Sequence, residues 1–162
     1  MNTVITVPAN VTVSVQPNIV YVKGPKGEVG IKIKGIEVLH EDGTLKLSGS
    51  YMMVNTYVAH FKNAFKGACE GHKKVMKVLC AHFPIKIEVK GKEVHIKNFL
   101  GGKKDLTAKI VGSAQVSVKG DIIEITGPDI YDVGQTAANL SNAVRIKSKD
   151  RRVFQDGIYV VS

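Results

Sequence analysis

Apolar and polar residues alternate in short runs along most of this chain, and each run ends in a turn. Val11-Thr12-Val13-Ser14-Val15 alternates, Gln16-Pro17-Asn18 turns, and Ile19-Val20-Tyr21-Val22 returns, which predicts a hairpin. Lys23-Gly24-Pro25-Lys26-Gly27 reads as a loop from its glycine and proline content. Val29-Gly30-Ile31-Lys32-Ile33 is a third strand. Ile36-Glu37-Val38-Leu39-His40 and Thr44-Leu45-Lys46-Leu47, joined by Glu41-Asp42-Gly43, make a second hairpin. The period then changes. Val54, Tyr57, Val58, Phe61, Ala64, Phe65 and Ala68 recur at spacings of three and four, so one apolar stripe runs along a helix from Tyr51 to Glu70. Gly71 is its stop, and Lys62 and Lys66 lie off the stripe.

The second half repeats this order. Ile85-Lys86-Ile87-Glu88-Val89, Lys90-Gly91-Lys92 and Glu93-Val94-His95-Ile96 form a hairpin, and Lys97-Asn98-Phe99-Leu100-Gly101 falls where the first glycine-rich loop fell. Lys103 to Val111 reads as the next strand. Val116-Ser117-Val118, Lys119-Gly120-Asp121 and Ile122-Ile123-Glu124-Ile125 form the second hairpin, and Ile130, Val133, Ala137, Leu140 and Val144 mark a second helix after a Pro128-Asp129 cap. The unit is three to four short strands followed by one helix, present twice. Its fold class is α+β: two tandem duplicated domains, each a small, mostly antiparallel sheet packed against one helix. The expected domains are 1–81 and 82–162, with the boundary at Ala81 to Pro84. Lys73 to Leu79, alternately basic and apolar, is expected as an edge strand before the crossover.

Composition refines this picture. Apolar residues make up 44% of the 162, enough for a core, but aromatics only 6% with no Trp, so Val, Ile, Leu and Ala must fill it. The formal net charge of +9 points to nucleic acid, an anionic surface or acidic protein as partner. No apolar run reaches the roughly 18 residues of a membrane span. The N-terminus has neither a basic region nor a signal-peptide core, so a soluble, cytosolic chain is expected, with no membrane partner.

The charge is unevenly distributed. All three arginines, Arg145, Arg151 and Arg152, lie in the last 18 residues, with Lys147 and Lys149 among them. So dense a cluster suits RNA phosphates, and Arg planes or Phe154 can stack on unpaired bases. A solvated basic face is the bland alternative. The loop from Lys97 to Lys104 pairs glycines, which let backbone N–H groups approach phosphate, with Lys97, Lys103 and Lys104. Lys23-Gly24-Pro25-Lys26-Gly27 is its weaker counterpart, and an ordinary glycine-rich turn is the simpler reading there.

Cys69, His72, Cys80 and His82 offer four ligands that zinc accepts, but their spacing favours two thiols and two imidazoles without metal. No metal, cofactor or small-molecule substrate is expected. His40, His60 and His95 stand beside no recognisable nucleophile motif, and no enzyme activity is expected.

Four segments carry a family resemblance: Val20-Tyr21-Val22-Lys23-Gly24-Pro25-Lys26-Gly27, Ala81-His82-Phe83-Pro84-Ile85, Asn98-Phe99-Leu100-Gly101 and Asp150-Arg151-Arg152-Val153-Phe154-Gln155-Asp156-Gly157-Ile158-Tyr159-Val160. In order and over nearly the whole chain, it resembles the universal L-six family of large-subunit ribosomal proteins, called L-nine in eukaryotic naming; the last three segments look like its archaeal and eukaryotic branch. The resemblance implies a structural, non-enzymatic ribonucleoprotein component in the cytoplasm. It implies binding to ribosomal RNA near the base of the factor-binding stalk and the sarcin–ricin loop region, with neighbouring ribosomal proteins as partners and translational GTPases nearby. Carried over residue by residue, the RNA-contacting candidates are Lys97, Asn98, Lys103, Lys104, Arg145, Lys147, Lys149, Arg151 and Arg152. The alternative is a free-standing basic RNA- or protein-binding module. The chain departs from eukaryotic relatives in two ways. Ser48-Gly49-Ser50-Tyr51-Met52-Met53-Val54 replaces a basic, Trp-containing stretch, and the sequence stops at Val160-Val161-Ser162 without their C-terminal extension.

Overall fold

A computed structural model describes residues 2–41 and 43–161. The chain divides into two compact units, Met1–His72 with Pro128–Ile130, and Lys73–Gly127 with Tyr131–Ser162.

In the first unit, strands β1 (Asn2–Thr6), β5 (Ile36–Glu41) and β6 (Thr44–Gly49) form one antiparallel sheet in the order β1-β6-β5. Strands β2 (Thr12–Val15), β3 (Ile19–Gly24) and β4 (Gly27–Lys32) form a second, in sequence order. Helix α1 (Tyr51–Cys69) covers the buried faces of both and touches β1, β3, β4 and β6. The expected stripe is what it buries: Val54, Tyr57, Phe61, Ala64, Phe65 and Ala68, packed on Val20, Val22, Leu45 and Leu47. A side chain of this size contributes about 1.5–3 kcal/mol when fully buried, which is why the helix stays on the sheets. Gly71 has φ +82°, a left-handed conformation that ends the helix at low cost, and its N–H donates to Gly67 O at 3.0 Å. The turn expected at Glu41-Asp42-Gly43 includes Asp42, which lies outside the described residues.

The second unit has a three-stranded sheet, β10-β9-β8, from β8 (Lys86–Lys90), β9 (Glu93–Lys97) and β10 (Leu106–Lys109). Its other sheet has four strands in the order β11-β12-β7-β13: β7 (His72–Leu79), β11 (Gln115–Lys119), β12 (Ile122–Gly127) and β13 (Gly157–Val160). Helix α2 (Ile130–Ala143) buries Val133, Ala137 and Leu140 in a core with Met76, Val78, Val94, Ile96, Ile123, Ile125 and Ile158.

Four features correct the sequence expectation. Each unit has six strands before its helix rather than three or four: the five runs that alternation marks in each half all form strands, and β1 opens the first unit and β7 the second. Strand β7 is an inner strand between β12 and β13, not an edge: β13 returns from the chain's far end to pair antiparallel with it. The units accordingly divide at His72 and Lys73, ahead of the expected Ala81–Pro84. The strand expected over Lys103 to Val111 covers only Leu106–Lys109, which leaves Lys103 and Lys104 in a loop.

Candidate nucleic-acid interface

The two glycine-rich loops take different forms. In the first, Gly24 and Gly27 pair across the β3–β4 hairpin, leaving a two-residue turn at Pro25-Lys26. Lys26 N–H donates to Ala68 O at 3.0 Å, and a Cβ on Gly24 would meet that same carbonyl oxygen at 2.5 Å. Gly24 is therefore required for the hairpin tip to seat on the end of α1, and the loop's conformation serves packing.

The second loop bulges outward. Asn98 (φ +58°) and Leu100 (φ +51°) both take left-handed backbone around a 3-10 turn at Phe99–Gly101. Phe99 packs on the second unit's core. The Asn98 amide donates to Pro84 O at 3.0 Å. Gly101 and Gly102 donate their N–H groups back to Asn98 O and Phe99 O, so these glycines shape the loop and do not form the phosphate cradle expected of them. Lys97 donates to both Glu88 oxygens at 2.9 Å. That hydrogen bond, with the attraction between the charges, raises the Lys97 pKa and holds Glu88 below the usual carboxylate range. Lys97 is thus paired within the chain, on a carboxylate it shares with Lys90. The signal was present in the sequence: β8 and β9 pair Glu88 with His95, which sets Glu88 diagonal to Lys97 across the hairpin. Lys103 and Lys104 are exposed and form no ion pair among the described residues.

The basic segment after α2 is organised by a buried carboxylate. Asp156 is 1% exposed. Its Oδ1 lies 3.0 Å from His82 Nδ1, and its Oδ2 accepts the His82 backbone N–H at 3.4 Å. Burial pushes the Asp156 pKa up, but hydrogen bonds from the His82 ring and the His82 and Ala81 backbones, with the His82 charge, outweigh it and leave the pKa lowered. The His82 ring stacks on Phe154 with centroids 4.6 Å apart, and Lys149 Nζ stands 4.6 Å from the Phe154 ring centre. Phe154, which the sequence offers as a stacking partner for bases, is engaged within the chain by His82 and Lys149.

The remaining cations lie around this clamp. Arg145, Lys147, Arg151 and Arg152 are exposed. Arg152 makes a loose pair with Asp150 at 3.4 Å with its side chain 92% exposed, a geometry worth little in water. Arg151 donates to Ile146 O at 3.4 Å. Arg145 and Arg151 both line a pocket of about 220 Å³ with Ser141, Asn142, Ile158 and Tyr159.

Residues 81–84 connect the two regions. His82 holds Asp156, Pro84 O accepts from Asn98, and the Phe83 ring lies within about 3.3 Å of the Cβ position on Gly101. The loop cations Lys103 and Lys104 and the cluster from Arg145 to Arg152 are thus tethered to one short segment. His82 and Asp156 were not among the expected site residues, because their contact spans 74 positions. Of the four sequence-level metal candidates, His72 lies 3.1 Å from Asn63 O and His82 is engaged by Asp156. Among the described residues, no three His, Cys, Asp or Glu side chains gather to hold a metal.

The fold and this surface define a duplicated α+β protein whose second unit displays a cationic segment clamped by a buried carboxylate. The family model described as Ribosomal protein L6 matches residues 83–157, which include Asp156 and the basic segment but not its partner His82. Archaeal proteins named large ribosomal subunit protein uL6 match far more. The one from Methanocella arvoryzae is 43% identical, across 98% of this chain and 94% of its own length. Those from Archaeoglobus fulgidus and Sulfurisphaera tokodaii are 47% and 38% identical, covering 85% and 96% of this chain and 74% and 89% of their own lengths. The chain belongs to the ribosomal protein L6 family.

Proposed function

We propose that this chain works in the large ribosomal subunit as a structural protein, fixing ribosomal RNA through the cationic loop and segment of its second unit. As a member of the L6 family it is a structural protein, not an enzyme. The observation that carries the reading is the near full-length similarity to archaeal proteins named as large-subunit components. The geometry supplies a physical mechanism. Lys103, Lys104, Arg145, Lys147, Arg151 and Arg152 are exposed cations on backbone held by the Asp156–His82 clamp and by Asn98. Cations placed in advance neutralise phosphates and release counterions with little ordering cost. In this reading Lys97 and Asn98 shape the loop, Lys97 adds a charge offset by Glu88, and Lys149 divides its charge between Phe154 and RNA.

The finer placement rests on the motif resemblance: RNA near the base of the factor-binding stalk and the sarcin–ricin loop region, with neighbouring ribosomal proteins beside it and translational GTPases docking nearby. The working site is the cytoplasmic ribosome. The two units act as separate domains, each built on its own core.

Sedimentation of native extract through sucrose at low and high salt tests the reading. The chain should travel with large subunits and intact ribosomes and stay there at high salt. Recovery only at the top of the gradient would refute it.

A further inference from the structure

The segment after α2 does more than display charge, because it also walls the 220 Å³ pocket. That volume is below the roughly 300–1,000 Å³ of a site for a drug-sized molecule, and suits a single ring system with its polar substituents at the mouth. The floor is apolar: Val144, Ile146 and Ile158 line it and are almost fully buried. Tyr159, 46% exposed, also lines the pocket. Two contacts hold the Tyr159 ring. Its hydroxyl donates to Gln155 O at 3.2 Å, and its edge lies 3.2 Å from where a Cβ on Gly157 would stand, so the ring rests on a residue that has no side chain. Arg145 and Arg151, both exposed, supply the rim. Asp156 also lines the pocket, but His82 and Ala81 engage its carboxylate, and two cations outnumber it. The Ser141 hydroxyl and Asn142 amide complete the lining and form no side-chain hydrogen bond among the described residues.

An apolar floor, a fixed aromatic ring, uncommitted polar groups and a two-arginine rim match the parts of one nucleotide. From these features we infer that the pocket seats a single unstacked ribonucleotide, with its base against Tyr159 and the floor and its phosphate between Arg145 and Arg151. The inference rests on the RNA-binding reading above and sharpens it: this part of the surface reads an extruded base as well as backbone charge. Base stacking on an aromatic is insensitive to salt, whereas phosphate contacts are not, so the two contributions separate experimentally.

The test measures binding of the full chain to isolated large-subunit ribosomal RNA over a range of salt concentrations. Tyr159→Leu removes the ring, Tyr159→Phe keeps it, and Arg145→Gln with Arg151→Gln removes the rim. Tyr159→Leu should bind roughly 5- to 150-fold more weakly with an unchanged salt slope. Tyr159→Phe, whose thermal midpoint also checks the fold, should bind within about twofold of the native chain. The arginine pair should flatten the slope by about two units. Ultraviolet irradiation of native large subunits should place a nucleotide adduct on the peptide containing Tyr159. If Tyr159→Leu binds like the native chain while the arginine pair flattens the slope, the contact is to phosphate alone; the nucleotide pocket is then wrong and the RNA-binding reading survives. Native binding with no effect of either change would place RNA elsewhere on the chain and also overturn the pocket. Failure of the native chain to bind this RNA would overturn the RNA-binding reading, and the pocket with it.

Discussion

Replacing Asp156 with Ala isolates the clamp that orders the basic segment. In the native chain its carboxylate is 1% exposed and satisfies the His82 ring, the His82 N–H and the Ala81 N–H. The substitution leaves two backbone N–H groups and an imidazole N–H, on the exposed residues Ala81 and His82, without their acceptor. Leaving one buried donor unpaired costs about 1–3 kcal/mol. Ala81 and His82 are both exposed, so water recovers part of the loss at all three donors and the sum is about 2–4 kcal/mol. For a chain of this length that lowers the thermal midpoint by roughly 5–15 °C. The penalty must also depend on pH. The folded pKa of Asp156 lies below the ordinary 3.8, so its contribution is complete above 3.8 and disappears as pH falls through the folded value. The gap between native and Asp156→Ala chains should therefore be full at pH 7 and close on acidification below 3.8. Calorimetry at a series of pH values gives the gap, and amide exchange at Ala81 and His82 locates it. A midpoint within about 1 °C of native at pH 7, or a gap that widens in acid, would refute the reasoning.

Other consequences follow from the same geometry. Arg151→Ala with Arg152→Ala should reduce the salt dependence of RNA binding by about one unit for each phosphate no longer neutralised and leave the thermal midpoint nearly unchanged, since both side chains are exposed; an unaltered slope would exclude this pair from phosphate binding. Lys97→Ala should weaken RNA binding less than Lys103→Ala or Lys104→Ala, because Glu88 already offsets the Lys97 charge; parallel titrations with ribosomal RNA decide this. A fragment of residues 73–162 should give a cooperative thermal transition and one of residues 82–162 should not, because the shorter one lacks β7 and with it Met76 and Val78, 0% and 4% exposed in the core. Gly24→Ala should destabilise the first unit, since the added methyl meets the Ala68 carbonyl, a backbone group that cannot rotate away; thermal melting measures the loss.

The local elements were legible in the sequence because their signals are local. Alternation of period two fixed the hairpins from Val11 to Leu47, and the three-and-four spacing fixed α1 within one residue of its observed end. The repeat of this order in the second half revealed the duplication, and the charge cluster after α2 identified the basic surface. Strand β1 went unread because only Ile5 of Asn2–Thr6 is fully buried, and one buried residue makes no pattern. What lay beyond the sequence depends on contacts between distant residues. Strand β7 is an inner strand only because β13, near the chain's far end, closes over it. Asp156 appears in sequence as one polar residue in a basic tail, and tertiary structure makes it the buried acceptor for His82. The pocket of Arg145, Arg151 and Tyr159 exists because that closure brings β13 beside the end of α2. Periodicity is set by which face of an element meets the core, so it can be read along the chain, whereas the site is set by which elements meet, and only the folded chain decides that.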